Sequence, residues 1–451
     1  MKIGIKMKRI FLMMSLFFLT SMMFGQKKWT LQECIDYAMQ NNITLQQARL
    51  MKKTATETRK QSQAALLPSL NASTNQTVGY RPWLETGTTT VSNGTVNTKV
   101  NKTYYNGTYG INASWTVWNG NQNRNQLKLD KVAEEQADLD IAETANSIQE
   151  RIAQLYIQIL YLNEAIHVNE ETLETSKKNE ERGKEMVEVG KMSKADLAQL
   201  TAQRSTDEYN LVEAKSNLAD YKLELKQLLE ITGGQDFDIV TPEASDEQAL
   251  TDIPSLGSVY EKALTLRPEI QNAKLDLQSS DLQMKIAKAG HLPTVSLSGG
   301  VGTSTSSMSS NEWGNQMKTN FDASIGASLS IPIFDNRRTK TAINKAQIQR
   351  EQALLDIQNE QKQLYATIEG YWLDANTNQQ KFKAAQSSVA SEQASYDLLS
   401  EQFHLGLKNI IELMTGKDKL LKAQQNRLQS KYMTILNQQL LHFYEGETLN
   451  I

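Results

Sequence analysis

The amino-acid sequence predicts an α+β membrane protein built from a duplicated half. Each half runs helix, strand, strand, long helix, helix, and the chain contributes four strands to a β-barrel. Three observations point there: an internal repeat, two stretches of two-residue alternation, and two long helical seams free of proline. In the repeat, Leu31, Ile35, Ala38, Ala48 and Leu67-Pro68 recur as Leu256, Tyr260, Ala263, Ala273 and Leu292-Pro293, at an offset of 225. Beyond the first strand region the offset falls to 216 and stays there, joining Trp118 to Phe334, Glu135-Gln136-Ala137 to Glu351-Gln352-Ala353, and Gly190 to Gly406. The difference between the offsets is one shorter loop. A period this long is a doubled half-molecule and not a solenoid, so a structurally important site should occur as a pair.

Residues 1–25 carry Lys2, Lys6, Lys8 and Arg9, then an apolar run from Ile10 to Phe24, then Gly25-Gln26. This pattern predicts a secretory signal peptide cut after Gly25, because the apolar run falls short of the ~20 residues a spanning helix needs. Its removal takes away four positive charges and no acids, moving the formal charge from -3 to -7. Nucleic acid is therefore an unsuitable partner. The single Cys34 excludes an internal disulfide and any zinc cluster built on cysteine. Nothing after residue 25 approaches a transmembrane helix, so entry into a membrane requires a closed β-barrel.

The first repeat is assigned to residues 26–236 and the second to 256–451. The first helix of the first repeat, about Leu31 to Ala65, should stop at Pro68, and Pro293 should stop its counterpart, since proline lacks the amide that would continue a helix. Strands are predicted at about 68–80 and 109–118, and at about 293–302 and 321–334. Tyr109, Ile111, Ala113, Trp115 and Val117 alternate with Gly110, Asn112, Ser114 and Thr116. In the second repeat Phe321, Ala323, Ile325, Ala327, Leu329, Ile331 and Ile333 alternate with small and polar residues. Strands of about 10 residues with one apolar and one polar face span a tilted barrel wall with lipid outside and water inside. Ile111, Trp115, Ile325 and Leu329 are the expected lipid-facing residues. Tyr80, Trp83, Tyr104, Tyr105, Tyr109, Trp115 and Trp118 gather towards strand ends, as an interfacial girdle would. The polar stretches Arg81–Lys102 and Ser304–Lys318 read as loops outside the cell.

The long helices are predicted at roughly Asn123 to Met186 and Arg337 to Phe403, on the order of 95 to 100 Å each at 1.5 Å per residue. Ile141, Ala145, Ile148, Ile152, Leu155, Ile159, Leu162 and Ile166 step by four and three, which is coiled-coil packing. Leu211, Ala214, Leu218, Tyr221, Leu225 and Leu228 continue it after the break, and the remaining faces are solvated. The breaks, at about 187–196 and 403–412, hold Gly190 with Ser193 and Asp196, and Gly406 with Asn409 and Glu412. Glycine supplies the left-handed exit, Ser193 or Asn409 the N-cap, and Asp196 or Glu412 the N3 carboxylate. Each break is a tight turn closing a helical hairpin.

Between the repeats, residues 237–255 form an acidic connector; its spacing fits no calcium loop. His167, His291, His404 and His442 share no ligand spacing, and neither a phosphate loop nor a serine elbow is present. No catalytic residue, metal site or cofactor is predicted, and the chain reads as a non-enzyme.

Four strands cannot close a barrel alone, so closure needs several chains. In its duplication, its Leu-Pro helix ends, its Trp118-Asn119-Gly120 and Phe334-Asp335-Asn336 corners and its glycine turns, the chain resembles the TolC-like outer-membrane efflux proteins over essentially the whole mature sequence. The resemblance implies a homotrimer in which twelve strands form one outer-membrane barrel and twelve helices form a periplasmic coiled-coil barrel. It implies a passive channel joined to a periplasmic adaptor and an inner-membrane pump. It places Asp196 and Glu412 near a constriction and gives Lys408 a role in tying neighbouring helices, although both acids are equally explained as helix caps. The third position of a deeper acidic ring falls on Thr415, which removes the basis for strong cation selectivity. A different class of protein, a structural envelope protein or adhesin with the same barrel and coils, is the alternative.

Overall fold

The computed structural model describes residues 28–83, 87–91, 94–98, 101–233, 237–242 and 245–450. The predicted signal peptide lies outside them. In chain order the elements begin with β1 (Lys28–Trp29), α1 (Leu31–Asn41), α2 (Ile43–Ala64), β2 (Ser69–Tyr80), β3 (Gly87–Val91), β4 (Gly94–Thr98) and β5 (Thr103–Asn119). Then come α3 (Gln122–Glu188), α4 (Lys194–Leu228), β6 (Asp238–Ile239), α5 (Asp246–Ala249), α6 (Leu256–Leu266) and α7 (Pro268–Ala289). The chain continues through β7 (Thr294–Ser306), α8 (Trp313–Thr319), β8 (Asp322–Ser330), α9 (Arg338–His404) and α10 (Ile410–Tyr444). The duplication is visible in the lengths: α1 and α6 have 11 residues, α2 and α7 have 22, α3 and α9 have 67, and α4 and α10 have 35.

Two compact units divide the chain. One comprises residues up to Arg49, Leu139–Gln271 and Gln358 onward; the other comprises Leu50–Asp138 and Asn272–Ile357. The first is helical, and its core gathers Cys34, Ala38, Ile152, Tyr156, Ile159, Leu160, Leu225, Leu229, Ile368, Phe382 and Leu440. The predicted seam from Ile148 to Ile166 lies buried there. Fully burying one such side chain contributes roughly 1.5–3 kcal/mol, so the seam outweighs the weak local propensity of any single turn. Tyr156 donates its hydroxyl to Val240 O at 2.6 Å, securing the connector beside the parallel pair β1–β6.

The second unit holds a four-stranded antiparallel sheet of order β2-β5-β7-β8. Both repeats enter it, meeting at the β5–β7 pair. Duplicated corners lead from strand to helix: Gly120 and Asn121 stand at φ 66° and 65°, and Asn336 and Arg337 at 52° and 66°. Asn119 Oδ1 accepts the Asn123 amide at 3.2 Å, and Asp335 Oδ2 accepts the Thr339 amide at 2.8 Å. One side-chain acceptor therefore starts each long helix. At Gly120 a Cβ would stand 2.8 Å from that of Leu292, so glycine is required by space as well as by φ.

Three expected boundaries and two expected loops are corrected. The first helix is interrupted at Asn42, whose backbone is extended and whose side-chain Oδ1 starts a new helix by accepting Leu45 N at 3.2 Å. Its counterpart breaks at Arg267 because Pro268 drives the preceding residue out of the helical region. The last strand ends at Ser330 and not at 334, since Pro332 has no amide for the ladder. The two segments expected as loops contain the β3–β4 hairpin and the helix α8.

Candidate functional site

Register decides which side chains share a face of the sheet. Ile111 pairs with Ala72 and Val301, Gly299 with Ile325, Leu70 with Ala113, and Val295 with Leu329. One face is accordingly apolar, while Asn71, Ser73, Asn112, Ser114, Ser298 and Ser328 occupy the other. The apolar face is largely open: Ile325 is 87% and Leu70 74% exposed, and Ile111, Leu329 and Trp115 are also open. Trp115 donates its indole N–H to Leu66 O at 2.9 Å, which holds it beside the end of α2. Pro68 and Pro293 stand between helix and strand, after closing bonds from Leu67 N to Ala64 O and from Leu292 N to Ala289 O, both 2.9 Å. Among the described residues no helix is long and apolar enough to cross a membrane.

The hairpin turns are built twice from one plan. Gly190 has φ 74° and Gly406 φ 77°, the left-handed region that glycine adopts without cost. Lys191 N donates to Met186 O at 2.7 Å and Leu407 N to Gln402 O at 2.9 Å, closing the last turns. Ser193 Oγ accepts the Asp196 amide at 3.1 Å and donates to the Asp196 carboxylate at 2.7 Å. Asn409 and Glu412 form a full capping box, with bonds of 3.0 and 3.3 Å. Lys408 Nζ lies 2.6 Å from Glu412 Oε1, so its ion pair is within its own turn. That ammonium and the Asn409 amide hold the Glu412 carboxyl below its ordinary range. The turns thus unite Lys408 with Glu412 and Asp196 with Ser193. Thr415 donates its hydroxyl to Ile411 O at 2.7 Å.

Sequence reasoning missed a buried polar knot near the turns. Lys417 of α10 meets Asp207 of α4 and, at 2.8 Å, Ser176 Oγ of α3. The apolar cluster of Leu200, Tyr396, Phe403, Ile410, Leu413 and Leu420 is built from α4, α9 and α10. The signal was present: Asp207 falls seven residues after Leu200 and seven before Ala214, a charge at a seam position. Sequence reasoning also missed a cluster of His442, Glu445 and Glu447, whose candidate metal-ligand atoms lie within 4.8 Å of one another. Lys262 Nζ, 3.1 Å from Glu445 Oε1, already gives that carboxylate a cation. An open cavity of about 650 Å³, lined by Leu160, His167, Lys215, Pro242, Lys431 and Tyr432, has its lysines paired as well.

A sheet apolar on one face and hydroxylated on the other, with two helical hairpins of equal length, is the architecture of a TolC-like channel protomer. Solved structures share it: the CusC channel at TM-score 0.78 and 17% identity, covering 95% of this chain and 96% of that one. The Campylobacter jejuni CmeC outer membrane channel matches at TM-score 0.76 and 19% identity, over 93% and 87%. The family model for outer membrane efflux proteins matches residues 34–230 and 259–446. The chain belongs to the outer membrane efflux protein family. Among its relatives, the Brucella suis outer membrane efflux protein BepC is 25% identical over 362 residues, 79% of this chain and 75% of that protein. The Vibrio cholerae outer membrane protein TolC is 21% identical over 413 residues, 90% and 88% respectively. The family is one of channel proteins, and the chain is an outer-membrane channel of efflux systems. That sets aside the alternative of an adhesin or structural envelope protein.

Proposed function

We propose that three copies of this chain close one twelve-stranded barrel and one periplasmic coiled-coil barrel, forming a passive duct from a periplasmic adaptor and an inner-membrane pump to the outside. The observation that carries this reading is the sheet itself. Among the described residues the outer edges of β2 and β8 pair with no further strand of the chain, and four strands are too few to close. Copies joined edge to edge would satisfy those edges and enclose the hydroxylated face, leaving Ile111, Trp115, Ile325 and Leu329 to lipid. The alternation that reads as barrel wall would be costly in any other setting, because a bare apolar face demands a cover.

The domain reading follows. Residues 1–25 direct export and are removed, residues 26–236 and 256–451 act as equivalent halves, and residues 237–255 link them. The turns around Gly190 and Gly406 form the inner tips where the adaptor docks and the duct narrows. Lys408, Asp196 and Glu412 bias that narrowing by stiffening the turns in which they are bonded, and Thr415 leaves the passage without strong cation selection. Native mass measurement of the detergent-extracted protein tests the assembly: three chains per particle are expected, and a stable monomer folded without lipid or detergent would defeat the barrel reading.

A further inference from the structure

The segment between β7 and β8 places a helix on the apolar side of the sheet. Tyr109 pairs with Thr303 two residues along from the Ile111–Val301 pair, so all four side chains share one face, about 7 Å apart along the strands. Helix α8 packs on that face. The Trp313 ring stands edge-on to Tyr109 at 6.3 Å and 90°, and Thr303 Oγ1 donates to Met317 O at 2.8 Å. Gln316, 5% exposed, accepts from Ser306 N at 2.7 Å and donates to Ser306 O at 3.1 Å and Asn311 O at 2.7 Å. Asn320 Nδ2 donates to Ser304 O at 2.7 Å. These bonds pin the middle and the C-terminal end of the helix to the last residues of β7. A helix roofing the lumen would have to cover Thr108, Gly110 and Ser304 on the opposite face, and the Trp313–Tyr109 and Thr303–Met317 contacts set it on the other side.

We propose that α8 is an interfacial anchor lying on the outside of the barrel wall, in the headgroup layer of the outer leaflet, and that its partner is a phosphate-bearing lipid surface. The inference rests on the reading of the apolar face as lipid-facing. Continuity with that face identifies the occupant: the apolar band of Ile111, Val301 and Ile325 gives way, one pleat further out, to Tyr109, Trp313 and the tethering polar bonds. Trp313 is 55% exposed, and Glu312 and Lys318 are open at the two ends of the helix, one acid and one cation. Aromatic rings with a polar edge settle at the boundary of acyl chain and headgroup, and a lysine there reaches phosphate. The apolar residues inside α8 are few, so its pose depends on the Gln316 and Thr303 bonds more than on insertion.

The test uses full-length protein in vesicles of phosphatidylcholine with phosphatidylglycerol, carrying a nitroxide at Asn315→Cys on the open side of α8, or at Ile325→Cys in the band. Power saturation with oxygen and with a water-soluble nickel chelate reads the depth of each label. The expected result is a deep label at position 325 and a shallow, partly nickel-shielded one at 315. A label at 315 as open to nickel as free spin label, with 325 still deep, would overturn the anchor and leave the lipid face standing. Shielding of 315 from both reagents would overturn it in favour of packing against a second copy. Open access at both positions would remove the lipid-face reading together with this one.

Discussion

Lys417 of α10 buries its ammonium against the Asp207 carboxylate of α4, with side chains only 6% and 2% exposed. Ser176 Oγ donates to the same carboxylate at 2.5 Å, and Gln203 Nε2 reaches its second oxygen at 3.1 Å. The pair joins a helix of the first hairpin to a helix of the second. Desolvating two charges offsets most of their attraction, so such a pair contributes specificity of packing more than net stability.

Breaking the pair from one side should therefore be far worse than removing both partners. Asp207→Ala leaves a buried ammonium and is expected to cost about 3–5 kcal/mol. Asp207→Leu combined with Lys417→Met should cost much less. Chemical denaturation followed by circular dichroism distinguishes them, and equal losses for the single and double variants would show that the pair is not coupled.

The two faces of the sheet should differ in their tolerance of charge. Arginine at Ile111 or Ile325 is expected to cost about 2–4 kcal/mol near the midplane, while arginine at Ser114 or Ser328 faces the hydroxylated side and should be tolerated. Folding yield into vesicles measures this. Equal damage on both faces would indicate a sheet covered on both sides.

At the second turn the pH dependence follows from Glu412. Its carboxyl is held below the ordinary value by Lys408 and the Asn409 amide. A depressed folded value means that the stabilisation is present above the unfolded value of about 4.3 and is lost as pH falls through the folded one. Hydrogen-exchange protection of the turn should hold from neutral pH down to that range and drop below it. Glu412→Gln should abolish the drop.

The Lys408–Glu412 pair is exposed and screened by water, so it can bias a gate without locking it. Lys408→Ala should raise single-channel conductance modestly, and more so with Asp196→Asn. Parental conductance in both variants, with the assembly intact, would leave the acids as helix caps alone.

Asn42 is predicted to matter although it lies in no recognised motif. Its side chain accepts Leu45 N and donates to Leu228 O at 3.0 Å, in a buried setting. Asn42→Ala should lower stability by about 1–3 kcal/mol, since both backbone groups lose a partner. A loss of a few tenths would show that water replaces both bonds.

Legibility followed the range of the interaction that decides each feature. Strand faces were readable because period-two alternation from Tyr109 to Val117 and from Phe321 to Leu329 is a local pattern with one geometric meaning. The turns were readable because glycine, cap and carboxylate stand at fixed spacing. The break at Asn42 was not, since an asparagine in a helical stretch is ambiguous until Leu228 O is known to lie beside it. Helix α8 was hidden for the same reason: its stretch is rich in Ser, Asn and Gly, and only Tyr109 and Thr303, distant in sequence, hold it. The Lys408–Glu412 pair shows the converse, where a residue expected to reach a neighbouring helix is satisfied one turn away.

Ion conduction by the purified, detergent-extracted assembly in a planar lipid bilayer tests the channel claim most directly. Discrete current steps are expected, larger for Lys408→Ala than for the parent. An inserted assembly of three chains that leaves the membrane as tight as a protein-free bilayer, in the parent and the variant alike, would contradict a continuous duct.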